Sequence, residues 1–267
     1  MQSPGEQHRA RRGFGIPAGP DLDLAAEVAG RAEELGYTTV WTNDVPGADG
    51  MEVAAAMARA TTRIGIGIGA VPVARRPPDE IVSRVAGLGL PAGRLVLVVG
   101  SGRAARPVAV VREAVRRLRE ALDPAVTIGV AAMGPQMCRL AGEVAGYVLL
   151  NWMTPDRARW ARDRVAEGAK AAGRSSPVVG SYVRLAVGPT ARERLEAEAA
   201  RYRSIAQYAR HFSAQGAFAL GVAAAQSTDV PGLLGAHGEG LDEVVVRALP
   251  ASYERASLFA LAEAAAL

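Results

Sequence analysis

The sequence predicts an α/β fold of the (βα)8 barrel type, luciferase-like in the sense given below and with shortened insertion loops. Three observations predict the barrel. The chain has 267 residues, close to the length of about 250 that one barrel takes as a single domain. Eight short apolar runs recur along it, without clean period-two alternation, as strands buried on both faces require. Between them lie amphipathic or Ala-rich stretches of helical period, and such alternation calls for parallel strands joined by helical crossovers. Eight units in a chain of this length favour a closed barrel over an open doubly wound sheet.

In order, residues 1–12 read as a flexible tail and 13–267 as one barrel domain. The strand runs are 13–17, 38–43, 64–71, 95–100, 126–131, 146–151, 178–187 and 244–249. Leu35-Gly36 marks the end of the first helix, with glycine just past it. Val108, Val111, Val115, Leu118 and Leu122 step by three and four, one apolar stripe of a helix. Thr154-Pro155 fits an N-cap followed by proline at the first helical position. Thr190 with Glu193 fits a capping box. The stretch 190–240 holds too much helix for one unit and reads as helix 7, an extra helix and a loop before the last strand.

Composition excludes several classes. An apolar content of 49%, interspersed along the chain, excludes disorder over most of it. There is no uncharged apolar stretch of about 18 residues to span a membrane, and the polar, basic first fifteen residues lack the core of a secretory signal. Cys138 is the only cysteine, which leaves no disulfide framework or cysteine-based zinc site and suits a cytoplasmic location. The net charge is +4, but Arg alternates with Glu in VVREAVRRLREAL, the pattern of solvated helix faces. With 5% aromatic residues there is little for base stacking, so no nucleic acid partner is expected. A basic balance still suits an anionic small ligand. His8, His211 and His237 are scattered, and HExxH, P-loop and GxSxG patterns are missing, so no metal is expected.

In a barrel, function sits on the loops that follow the strands. Gly100-Ser101-Gly102-Arg103-Ala104-Ala105 fits GxGxxA after a strand. A dinucleotide fold would want an acidic residue ending the next strand, and VTIGVAAMG has none, so a glycine-lined backbone beside a flat or anionic cofactor is the better reading. Ala131 to Met137 runs from a strand end into a helix start: either an anion site of free N–H groups or a plain turn. Gly65, Gly67 and Gly69 alternate, which serves either packing by larger neighbours or a bulge with close ligand approach. Asp44 is either a proton-transfer group at the mouth or a loop cap.

Taken together, AEELGYTTVWTND, the run from ATTRIGIGIGAVPV to LVLVVGSG, VTIGVAAMGPQMCRLAGEVAGYVL and EGLDEVVVRALP resemble the bacterial-luciferase-like superfamily of flavin- and deazaflavin-dependent oxidoreductases, above all its coenzyme F420-dependent members. The resemblance implies a barrel with a tricyclic cofactor at its mouth, and a non-prolyl cis peptide at Gly69–Ala70 pressed against that cofactor. By the same resemblance Asp44, Gly69, Ala70, Pro72, Ser101, Gly102 and Arg106 contact the cofactor. Met133, Gly134, Gln136 and Met137 hold its phosphate tail. Asp44 and Asn43 are the expected catalytic pair.

Two positions depart from the sugar-phosphate dehydrogenases of that family. Val45 stands where they have His, and Arg103 where they have Glu, so alcohol oxidation is not expected. The insertion ahead of the fifth strand shrinks to 122–125. The expected activity is a reductase passing hydride from reduced F420 to an activated C=C or C=N bond of a small molecule, with Arg103, Trp152, Arg184 and Arg247 toward the substrate. The alternatives are an FMN-dependent monooxygenase, fed by a separate reductase, and a non-catalytic barrel. A homodimer is expected by analogy.

Overall fold

Alternate residues of a strand face opposite sides of the sheet, and in this chain the two sides differ in kind. Val40, Ile66, Ile68, Leu97, Val99, Val130, Val148, Leu150 and Val246 face outward and bury against the helices in one apolar core. Trp41, Val98, Tyr147, Leu149, Tyr182 and Val245 face inward and fill the barrel. Glycine makes room for the large ones: a Cβ on Gly67 would stand 2.1 Å from the Trp41 ring, and one on Gly180 would stand 1.9 Å from the Tyr147 hydroxyl. The alternating glycines of the third strand thus serve packing.

The computed structural model describes residues 10–19 and 21–266. Its order is β1 (Arg11–Gly15), α1 (Leu22–Glu34), β2 (Thr39–Thr42), α2 (Gly50–Arg59), β3 (Gly65–Pro72), α3 (Pro78–Gly87), β4 (Leu95–Gly100), α4 (Pro107–Ala121), β5 (Thr127–Ala131), α5 (Pro135–Val144), β6 (Tyr147–Asn151), α6 (Pro155–Ala171) and β7 (Val178–Val187). Then follow α7 (Ala191–Arg203), α8 (Ala206–Ala214), β8 (Val222–Ala224), α9 (Val230–Gly238), β9 (Glu243–Ala248) and α10 (Arg255–Ala265). Strands β1 to β7 pair in sequence, β7 pairs with β9 and β9 with β1, all parallel, which closes an eight-stranded barrel. The short β8 continues alongside the far end of β7, at Leu185–Val187.

The floor is polar. Glu243 is fully buried, accepts from the Thr39 hydroxyl, and accepts from the Tyr147 hydroxyl at 2.8 Å, while Trp41 Nε1 donates to Thr39 at 2.7 Å. Every inward-facing polar atom named here is therefore partnered, as burial demands.

Three expectations about the elements change. Arg11 and Arg12 belong to β1, since a strand's first residues need only backbone partners, and Arg11 N donates to Asp242 O at 2.9 Å; of the expected tail, residues 1–9, His8 among them, lie outside the described residues. The stretch 190–240 holds β8 and α9 beyond the two expected helices; Pro231, Gly232, Gly235 and Gly238 mask α9 in the sequence. Thr190 makes no side-chain cap, because Arg194 Nη1 takes its hydroxyl at 2.6 Å. The expectations about Asp44 and the methionines belong with the site below. Thr154 does cap α6, accepting from Arg157 N at 3.1 Å, and Gly36 ends α1 at φ +80°. No helix among the described residues is long and apolar enough to cross a membrane.

Candidate active site at the barrel mouth

The strand period carries the inward face up to the rim. Two residues beyond Trp41, Val98, Gly129, Leu149, Tyr182 and Val245 stand Asn43, Gly100, Ala131, Asn151, Arg184 and Arg247. This ring has two unlike halves. From β3 to β5 it is bare: Gly69-Ala70, Gly100 and Ala131. On β6, β7, β9 and β2 it is polar, with Asn151, Arg184, Arg247 and Asn43, while β1, between β9 and β2, runs on into Ile16-Pro17.

In the bare half, Gly69–Ala70 is a cis peptide bond, and the β3–β4 register shifts between Gly69 and Val71. The Tyr182 hydroxyl donates to Gly69 O at 2.9 Å. A Cβ on Gly100 would make only ordinary contacts, 3.4 Å to Ala70 and 3.7 Å to Ala131. Gly102 turns the loop at φ +60° against Pro72. Ser101 is half-buried here, whereas Arg103 and Arg106 are exposed. The next loop leads into α5, whose N-cap is Gly134 with no side-chain cap. A Cβ on Gly134 would meet nothing within 4 Å, so there is open space beside the cap, where the N–H groups of a helix's first turn can bind an anion. The side chains of Met133 and Met137 pack down on the outer core instead. A groove of about 550 Å³ continues outside the mouth between Arg106, Val108, Arg112 and Gln136.

In the polar half, Arg184 and Arg247 are register partners on adjacent strands. Arg184 Nη1 donates to Asn151 Oδ1, and its guanidinium lies 3.8 Å from the centre of the Trp152 ring and 5.1 Å from that of Tyr202. Arg247 Nη2 donates to Asn43 Oδ1 at 3.0 Å. That oxygen also accepts from Ala18 N, at 3.0 Å. Helices α7 and α8 cover this half. Asn151 Nδ2 donates to the Tyr208 hydroxyl at 3.1 Å, and His211 Nε2 stands 2.8 Å from Trp152 O. Burial pushes the His211 imidazole below its ordinary value and the Tyr208 phenol up to about 12.

Asp44 stands apart from its expected role. Its side chain has 0% exposure, it accepts from Arg75 and, at 2.8 Å, from Arg76 Nε, and its other oxygen accepts from Gly50 N at 3.1 Å. The sequence placed a carboxylate at the mouth but could not show that two guanidiniums from the loop after β3 seal it. It is a charged latch between β2, that loop and α2. Trp152, at 1% exposure and φ +57°, backs the Arg184 guanidinium.

Sequence reasoning missed Tyr182, Tyr202, Tyr208, His211 and Gln215, whose Nε2 donates to Trp152 O at 2.7 Å. A signal existed: in a chain with 5% aromatic residues, Tyr202, Tyr208, Phe212 and Phe218 crowd into one short stretch. No group of three or more His, Cys, Asp or Glu among the described residues is arranged to hold a metal.

Comparison with known proteins bears on this arrangement. A family model described as luciferase-like monooxygenase matches residues 4–128 and 123–249. A 5,10-methylenetetrahydromethanopterin reductase of Methanolobus tindarius is 28% identical over 193 residues, 60% of this chain; the chain spans 59% of that relative's length. Among solved structures, an F420-dependent secondary alcohol dehydrogenase in complex with an F420–acetone adduct superposes with a TM-score of 0.75 at 17% identity, covering 96% of this chain and 99% of that one. The oxygenating constituent of 3,6-diketocamphane monooxygenase of Pseudomonas putida, in complex with FMN, gives 0.67 at 14% identity, covering 95% and 96%. At these identities the two structures speak for the fold.

Proposed function

Since the chain belongs to the luciferase-like monooxygenase family, we propose that it is an oxidoreductase of the coenzyme F420-dependent kind, reducing an activated C=C or C=N bond of a small molecule. The observation that carries this reading is the bare half of the rim beside the open N-terminus of α5. Ala70, Gly100 and Ala131 present backbone and methyl groups where a planar ring needs a flat wall, Gly69 makes room for Leu149 behind it, and the N–H groups after Gly134 suit its phosphate. The residues present therefore fit the cofactor. When bound, a reduced deazaflavin supplies a hydride.

The chain's own groups bind and orient. Tyr182 fixes the Gly69 carbonyl, and Ser101 and Gly102, half-buried at the end of β4, would help hold the cofactor. Asp44 positions its loop through Arg75 and Arg76 and is not available to remove a hydroxyl proton. Val45 and Arg103 add no base beside it. This favours acceptors that need little acid–base help, with solvent as the proton source.

The second reading is an FMN-dependent monooxygenase, favoured by the likeness to the FMN-bound barrel. Spectroscopic titration of the apo-protein with F420 and with FMN, followed by oxygen uptake with reduced FMN, separates the two. Tight F420 binding without oxygen uptake supports the reductase. Tight FMN binding with oxygen uptake supports the monooxygenase. Failure to bind either overturns both.

A further inference from the structure

Arg184 and Arg247 are 1% and 6% exposed, and each is held by a carboxamide, not a carboxylate. Arg184 Nε and Arg247 Nη1 are buried without a hydrogen-bond partner. No described carboxylate pairs with either guanidinium, although exposed arginines throughout the chain pair with Glu or Asp. Their strand register directs both side chains into the mouth from neighbouring strands. Like charges are thus set side by side in a buried place, and burial together with Arg247 pushes the pKa of Arg184 down. A buried charge left uncompensated is costly, and arginine keeps its proton under such conditions. The arrangement is explained if a ligand brings the missing negative charge.

The free edge of Arg184 identifies the kind of anion. Asn151 occupies Nη1, which leaves the edge formed by Nε and Nη2 without a protein partner. Trp152 and Tyr202 lie 3.8 and 5.1 Å from the guanidinium centre, and their own ring centres are 5.3 Å apart, so both rings back the guanidinium from one side. The free edge, with two parallel N–H groups, matches a carboxylate in a bidentate pair.

We infer that Arg184 and Arg247 form an anion subsite that takes the carboxylate of the substrate, with Asn151 and Asn43 as its positioning residues and with Trp152 and Tyr202 supporting the Arg184 guanidinium from behind. The inference rests on the proposed function for the word substrate; the subsite itself stands on the geometry of the apo-protein. It sits across the mouth from the bare half of the rim, so an acid bound here extends its other end toward the cofactor wall.

The experiment uses the full chain and two probes of the same shape, sodium benzoate and neutral benzamide, titrated at constant ionic strength in chloride. Thermal melts should rise by several degrees with benzoate at about 100 times its Kd and stay flat with benzamide. Arg184→Gln and Arg247→Gln should each weaken benzoate at least tenfold. Arg184→Lys, a point charge without the fork, should recover only part of the loss. F420 and FMN affinities of Arg184→Gln should stay within about twofold of wild type.

Equal responses to benzoate and benzamide, or none, overturn the subsite without need of any variant. Loss of cofactor affinity in Arg184→Gln together with benzoate shows that the anion is the cofactor's phosphate and overturns it too. A protein that distinguishes benzoate from benzamide but binds neither cofactor keeps the subsite and loses the redox reading.

Discussion

Asp44 and His211 show how single side chains at the mouth trade reactivity for position. The Asp44 carboxylate is buried under Arg75 and Arg76, and removing one member of such a set costs about 3–5 kcal/mol. Asp44→Asn keeps the acceptor for Gly50 N but leaves both guanidiniums short of charge. It should lower the stability by about 3 kcal/mol in urea unfolding; an unchanged midpoint would show the latch to be idle. His211 titrates below its ordinary value because burial disfavours its charged form, and His237 is lowered for the same reason. The unfolded chain takes up protons near pH 6.5, whereas the native imidazoles take them up only at lower pH. Stability is therefore level above that value, falls as pH drops through the window between unfolded and native values, and levels off below it. Melting curves from pH 7.5 to 5 should show this slope. His211→Gln, which keeps a donor for Trp152 O, should flatten it in part, with His237 supplying the rest. Among these residues the sequence reveals identity but not engagement. Asp44 at a strand end was legible, while the two arginines that occupy it come from another loop. Trp152 was legible as a residue near the site but not as the platform beneath Arg184.

Helices α5 and α6 meet through glycine. A Cβ on Gly142 would stand 2.0 Å from Val165 O, and one on Gly168 would stand 2.0 Å from Arg139 O. At an exposed helix position glycine to alanine gains about 0.5–1 kcal/mol. Here the sign should reverse, because backbone cannot yield as a flexible side chain can. Gly142→Ala and Gly168→Ala should each destabilise by about 1–3 kcal/mol, read as a lower urea midpoint; a stabilised variant would show that the helices pack farther apart. Such close approach is invisible in a sequence where both glycines lie in otherwise ordinary helical stretches. The elements themselves were more legible. Strands whose outward residues are Val and Ile, and helices with a stripe such as Val111, Val115 and Leu118, declare themselves by composition and period. The segment that did not is α9, where Pro231 and three glycines contradict local helix propensity and packing of Val230 and Leu234 overrides it.

At the scale of the whole molecule, a closed barrel with its mouth divided into a bare arc and a cationic arc accounts for the rim as a unit. Each arc is simple: small residues at the ends of β3, β4 and β5, and amides with arginines at the ends of β6, β7, β9 and β2. The barrel and the glycine-bearing loops were legible in the sequence, because strand–helix alternation and glycine placement are local. The pairing of Arg184 with Arg247 was not, because it depends on the register of β7 against β9, which skips β8 and α9. The central claim is that the bare arc and the start of α5 hold a planar, phosphate-bearing redox cofactor, and Gly134→Asp tests it most directly. Aspartate is a favourable N-cap, worth about 1 kcal/mol, and the site has open space for it, so the fold should hold or gain stability. Its charge would repel a phosphate at the same N–H groups. Spectroscopic titration should show saturable F420 binding by the wild-type protein and at least tenfold weaker binding by Gly134→Asp at an undiminished melting temperature. Equal affinity in the folded variant, or no binding of F420 or FMN by the wild-type protein, would contradict the account.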